Sequence, residues 1–163
     1  MKVKSMDDLL LLELKDLYSA EKQLLKALPK MAAKATNPQL KKALEKHLTE
    51  TEGQVGRLDQ IAGLLEVKLT GHACKAMEGL IAEGDELLKE IEPGDLLDAA
   101  MIGACNRVEH YEIASYGTAR AFAQQLNHSQ VVKLLQANLD EEGAADKTLT
   151  KIAESRVNEA ALN

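Results

Sequence analysis

Apolar residues recur along this chain at intervals of three and four, the spacing of one face of an α-helix, over four long stretches. In the first, Leu10, Leu14, Leu17, Glu21, Leu24 and Leu28 share a side up to about residue 35, and Ser5 with Asp8 forms a capping box that opens it. Pro29 falls within this stretch and is expected to interrupt or kink the helix. Asn37 and Pro38 are a cap and first-turn pair for a second helix, with the inner line Leu40, Leu44, His47, Thr51, Gln54, Leu58, Ile61 and Leu65. The middle of that line is polar. A third helix opens after Pro93, Gly94 and Asp95 and runs to about residue 126. Asn127 and His128 break it, and Ser129 is expected to cap the fourth, where Leu135, Asn138, Glu142, Ala145, Leu149 and Ile152 continue the pattern.

The short connections make the first and second helices, and the third and fourth, antiparallel hairpins over residues 5–67 and 95–160. Between them lies a link of different character, residues 68–94, with a short amphipathic helix over about 74–91. A helix of about 30 residues spans about 45 Å, and the 27-residue link is long enough to cross that length. The pattern therefore predicts one all-α domain over 1–163. Its architecture is an antiparallel four-helix bundle of ferritin-like topology, with one long crossover that carries a short fifth helix. A weak internal repeat, HLTETEGQVGRLDQIA at 47–62 against NLDEEGAADKTLTKIA at 138–153, supports two similar hairpins.

Composition narrows the picture. Aromatics are 2% of the chain and Trp is absent, so the core must be aliphatic. A net charge of −6 gives no pull toward nucleic acid or anionic membrane, and the MKVK start is too short for a basic arm. No stretch approaches the roughly 20 apolar residues of a membrane span, and Cys74 and Cys105 lack the spacing of a disulfide framework or zinc knuckle. A soluble cytoplasmic protein without nucleic-acid or membrane partners is expected.

The candidate chemistry lies in the polar middles. In VEHYEIASYG, residues 108–117, Glu109, Glu112 and Tyr116 fall on one side, near the buried side suggested by Ile102, Asn106, Ile113 and Gly117. In an antiparallel hairpin, residues equally distant from the turn sit at similar heights. Glu21 precedes Asn37 by about 16 residues and Glu50 follows it by about 13; Glu109 and Glu112 precede Asn127 by about 18 and 15, and Glu142 and Asp146 follow it by about 15 and 19. All six acids can meet in one layer. Buried carboxylates repel one another and lose hydration, and a divalent cation removes the conflict. Oxygen donors of this kind suit iron or manganese, and helical bundles hold two such ions between spaced acids. Helical phase favours Glu142 over Glu141, and it places Thr51 inward with Glu50 beside it. His47 and Gln54 flank Glu50 by one turn on either side.

LKDLYSAEKQLLKALPKM, LTETEGQVGRL, AMEGLIAEG, VEHYEIASYGTA and LDEEGAADKTLTKIAE resemble the matching segments of the YciE/YciF family of ferritin-like bacterial stress proteins, over nearly the whole chain. The resemblance implies a homodimer and a dinuclear site similar to that of rubrerythrin, with Glu109 and Glu112 as the ExxE pair. This chain departs from the ExxH pattern usual on the second and fourth helices, because Gly53 follows Glu50 at i+3 and Ala144 and Ala145 stand in the fourth helix. His47 is then the candidate nitrogen ligand and Asp146 an oxygen substitute. The expected set is Glu21, Glu50, Glu109, Glu112, Glu142, Asp146 and His47 around two divalent ions, iron or manganese, with Gln54 and Tyr116 supporting the ligands.

Each residue also has a plainer role. Glu109 and Glu112 serve equally well in an exposed or cap-like structural role, and Asp146 as a solvated charge beside Lys147 or Lys151. His47 serves as a satisfied interior histidine, Tyr116 as a core tyrosine, His110 as a surface or dimer contact, and His72 and His128 as exposed loop residues. Two function classes follow: a metalloprotein that reacts with a small oxidant, peroxide or dioxygen, or a non-catalytic stress or interaction module whose polar layer sets helix register. A DNA-protecting mini-ferritin and a storage cage are disfavoured by the acidic charge and by carboxylates gathered within one chain.

Overall fold

Ser5 opens the first helix as its sequence predicts: its hydroxyl accepts from the Asp8 amide at 3.1 Å, and the Asp8 carboxylate accepts from the Ser5 amide at 3.1 Å. The protein is described by a computed structural model over residues 3–162. Met1 and Lys2 of the MKVK start, and Asn163 at the end of the expected domain, lie outside the described residues. Helix α1, Met6–Lys34, runs through Pro29 as one helix rather than stopping there. Helix α2, Pro38–Leu65, starts where the Asn37 side chain accepts from the amides of Gln39 and Leu40. Helix α3 is Lys75–Glu90 and α4 is Asp95–Gln125. Asn127 turns the chain with φ at 61°, a left-handed conformation that asparagine tolerates. Helix α5, Ser129–Ile152, then begins with Ser129 as its first helical residue, and the capping position is His128, whose side chain makes no cap bond. After Ile152 a five-residue π-helical turn, Ala153–Val157, leads into the short α6, Asn158–Ala160.

Helix α1 packs on α2 and α4, and α5 packs on α2 and α4, so the order around the bundle is α1, α2, α5, α4. Direction follows from three hydrogen bonds to the buried Asp98 near the start of α4. Its carboxylate accepts from the Thr36 amide at 3.0 Å, the Thr36 hydroxyl at 2.6 Å and the Asn37 amide at 2.7 Å. Helix α4 therefore begins at the end of the bundle where α1 finishes, and the link from α2 must climb the bundle's length. It does so along α1: the Cys74 amide donates to Ser19, the Gln23 side chain donates to the Cys74 carbonyl, and Asp85 lies 4.0 Å from Lys30. Helix α3 thus lies over α1 and α4 as the single long crossover, the ferritin-like topology.

Asp98 carries a prediction. Its replacement by alanine leaves two backbone amides and a hydroxyl without an acceptor, a loss of about 2–3 kcal/mol. Urea unfolding of Asp98→Ala checks this, and a midpoint equal to the parent's would show that the tie does not hold the two hairpins.

The core falls into two apolar halves. Leu24, Leu28, Leu40, Leu44, Met77, Met101 and Leu149 belong to one, and Leu10, Leu14, Leu17, Leu58, Ile61, Ala119 and Leu135 to the other. Between them lies a buried polar layer: Glu21 from α1, His47, Thr51 and Gln54 from α2, Glu109 and Glu112 from α4, and Asn138 and Glu142 from α5. Each sits on the apolar stripe of its own helix, so the packing that buries the leucines above and below takes the polar residues inward as well. Among the described residues, no helix is long and apolar enough to cross a membrane.

Candidate metal centre

His47, Glu109, Glu112 and Glu142 converge at the middle of the bundle. Each presents one ligand-type atom, and these atoms all lie within 4.8 Å of one another. Trans ligands of an octahedral ion with bonds near 2.1 Å are about 4.2 Å apart, so small side-chain movements bring the four onto one ion. The Nε2 atom of His47 stands 3.2 Å from Oε1 of Glu109 but is not aligned for a hydrogen bond. Burial, and then the charge of Lys46, lower the His47 imidazolium to about 4. The ring is therefore neutral at pH 7, as a metal ligand requires.

The carboxylates are held in the opposite sense. Burial raises Glu109, Glu112 and Glu21 well above the ordinary glutamate value of 4.5, and the neighbouring acids raise them further. Glu142 is pushed up to about 7, again chiefly by burial, while the adjacent Glu109 carboxyl and the hydrogen bond from Gln54 oppose the rise. Among the described residues, both oxygens of Glu112 and one each of Glu21, Glu109 and Glu142 lack a hydrogen-bond partner, as do the His47 nitrogens and the Thr51 hydroxyl. Unpaired buried polar atoms cost about 1–3 kcal/mol each. This concentration fits a cation: four buried carboxylates carry up to four negative charges, the sum that two divalent ions neutralise.

Around this centre a hydrogen-bonded frame fixes orientation. Gln54 donates to Glu142, and Tyr116 donates to Glu21. Asn138 donates to the Tyr116 hydroxyl at 2.9 Å and accepts from Arg57, which forks onto Glu141. Asn138 falls on the inner line of its helix by sequence, but its task, and the part played by Arg57, show only in the structure. The signal was an amide on a stripe whose other members, apart from Glu142, are aliphatic. The helical phase that favours Glu142 over Glu141 matches the two residues' places, one buried and the other half-buried on Arg57.

Three expected ligands stand apart from the set of four. Glu21 is fully buried next to it, turned to Tyr116, with one oxygen unpartnered. Glu50 is half-buried and paired with Lys46, because Thr51 takes the inward phase beside it. Asp146 is half-buried in the α4–α5 groove, where it accepts from Asn106 at 3.0 Å and lies 3.2 Å from the exposed His110.

Comparison with known proteins gives the following. Residues 5–162 match the family described as domain of unknown function DUF892. Protein YciF of Escherichia coli K12 is 44% identical over 164 residues, covering 100% of this chain and 99% of that protein. The crystal structure of the E. coli stress protein YciF superposes with a TM-score of 0.92, covering 96% of this chain and 99% of that one. YcfI of Rhodopseudomonas palustris is 48% identical with a TM-score of 0.89, covering 91% and 95%. A Xanthomonas campestris protein, at 21% identity and a TM-score of 0.75 over 94% of both chains, shares the fold.

Proposed function

The chain belongs to the DUF892 family of YciF-like proteins, and we propose that it is a dinuclear metal-binding stress protein whose iron or manganese pair reacts with peroxide or dioxygen. The observation that carries this reading is Glu112, which is 0% exposed yet has both carboxylate oxygens without a hydrogen-bond partner among the described residues. Such a group is stable in a core when a cation faces it.

In this reading His47, Glu109, Glu112 and Glu142 hold one ion, and Glu21, which acts electrostatically on Glu112 and Glu142, completes the second position with them. Glu50 joins by leaving Lys46, and Asp146 by leaving Asn106. Gln54 orients Glu142; Tyr116, held by Asn138, orients Glu21. A donor set of carboxylates with one imidazole favours iron or manganese over softer metals. Bound, the ions supply open coordination positions and a redox couple for a small oxidant.

Elemental analysis of protein purified without chelator, then titration with iron(II) and manganese(II), tests the site. About two ions per chain are expected, followed by peroxide consumption above that of free metal. Uptake well below one ion per chain for both metals sinks the proposal. It would leave the second reading, which the raised values of Glu109 and Glu112 favour: a protonated polar layer that fixes helix register. The homodimer implied by the resemblance belongs to the same proposal, and light scattering tests it.

A further inference from the structure

A cavity of about 30 Å³ lies under α3, between that helix and α1 and α4. Leu24, Leu28, Met31, Leu80, Ile81 and Val108 make most of its wall, and Asp85 joins them together with His47 and Glu109 of the candidate centre. Gly84 of α3 faces it: the residue is buried, yet a Cβ built there meets no neighbouring atom within 4 Å. A second, smaller cavity of about 20 Å³ also ends at His47 and Glu109, but Lys46, Glu50 and Thr148 line it. Both touch the candidate centre, but the first is lined mainly by hydrocarbon, with Asp85 its charged residue away from the centre, whereas Lys46, Glu50 and Thr148 bring two charges and a hydroxyl to the second.

We propose that the cavity under α3 is a binding site for a small apolar gas, with dioxygen as the reactive member of that class, and that Gly84 and Ala104 keep it open. Size limits the occupant, since one water needs about 10–15 Å³ of such space, so a molecule of two or three heavy atoms fits and an organic substrate does not. Polarity limits it further. Apolar cavities take apolar guests, and in a mainly hydrocarbon lining a guest without hydrogen-bonding groups gives up less hydration than hydrogen peroxide does. The Cys105 thiol, which also lines the space, is held protonated by burial, with its ionisation pushed up to about 12, and so adds no charge. Ions and peroxide are better matched by the second cavity, beside Lys46, Glu50 and Thr148. The delivery role rests on the metal-binding reading, but occupancy of the cavity does not.

Crystals of the metal-free protein pressurised with xenon test occupancy directly. A xenon peak among Leu28, Ile81 and Val108 is expected in the parent and is expected to vanish in Gly84→Leu and Ala104→Val, two variants so that misfolding of one leaves the other. In iron(II)-loaded protein the same variants should slow oxidation by dioxygen about tenfold while peroxide oxidation and metal stoichiometry stay at parent values. No xenon in the parent, or equal slowing with both oxidants, overturns the proposal. If the parent binds xenon but takes up no metal, the function reading fails and the gas site stands.

Discussion

Glu109→Ala combined with Glu112→Ala is expected to abolish uptake of iron(II) and manganese(II) while leaving the helix content essentially unchanged. These acids sit one turn apart on α4 and face His47 and Glu142. Without them half of the buried negative charge goes, and the atoms left cannot enclose an ion. The helices persist because the leucine clusters on either side of the layer are untouched. For the parent, metal at about a thousand times its dissociation constant stabilises by about 4 kcal/mol, which for a chain of this size raises the melting temperature by about 8–16 °C. The double variant should show no metal-dependent shift. Melting curves with and without metal, together with circular dichroism, decide the matter, and a retained shift with unchanged stoichiometry would remove these residues from the centre.

The metal-free protein should lose stability as pH rises from about 6 to 8, the reverse of a protein held by ionised carboxylates. The sign follows from linkage. Glu21, Glu109, Glu112 and Glu142 have folded-state values raised above 4.5, so their contribution is complete below that pH and is lost as pH climbs through the folded values. For Glu142, raised to about 7, the loss amounts to about 3 kcal/mol once it is ionised. His47 works against this on the acid side: lowered to about 4, it contributes above 6.5 and the contribution is lost as pH falls toward 4. The two windows overlap above 4.5, where four raised carboxylates outweigh one lowered imidazole, so maximum stability of the chelated protein lies at about pH 4–5. Bound divalent ions replace the protons, so the gap between metal-loaded and chelated melting temperatures should widen with pH. A chelated protein whose melting temperature climbs steadily from pH 6 to 8 would contradict the assignment of raised carboxylates.

The candidate centre was only partly legible in the chain. Counting from Asn37 and Asn127 put Glu21, Glu109, Glu112 and Glu142 at one height, and all four are buried in one layer. The same count admitted Glu50 and Asp146, since height along an axis says nothing of rotation about it. Glu50 lies one step off the inward phase held by Thr51, and Asp146, one turn after Glu142, rotates into the groove with Asn106. Asp98 carried no signal at all, because its partners Thr36 and Asn37 are about 60 residues away.

What the sequence determined alone is the five main helices, the caps at Ser5 and Asn37, and the face each long helix turns inward. A helix closes its hydrogen bonds four residues back, so its limits and phase depend on neighbours in the chain: the Ser5 box, the Asn37 cap, and the stripes through Glu21, His47, Glu112 and Glu142. What only the tertiary structure decided is which inward groups touch. The meeting of His47 with three glutamates, the tie from Asp98 to the first hairpin, and the space left at Gly84 under α3 depend on how four helices rotate and slide as their side chains interlock. Those adjustments of a few ångströms are shared among many contacts and are written in no single segment.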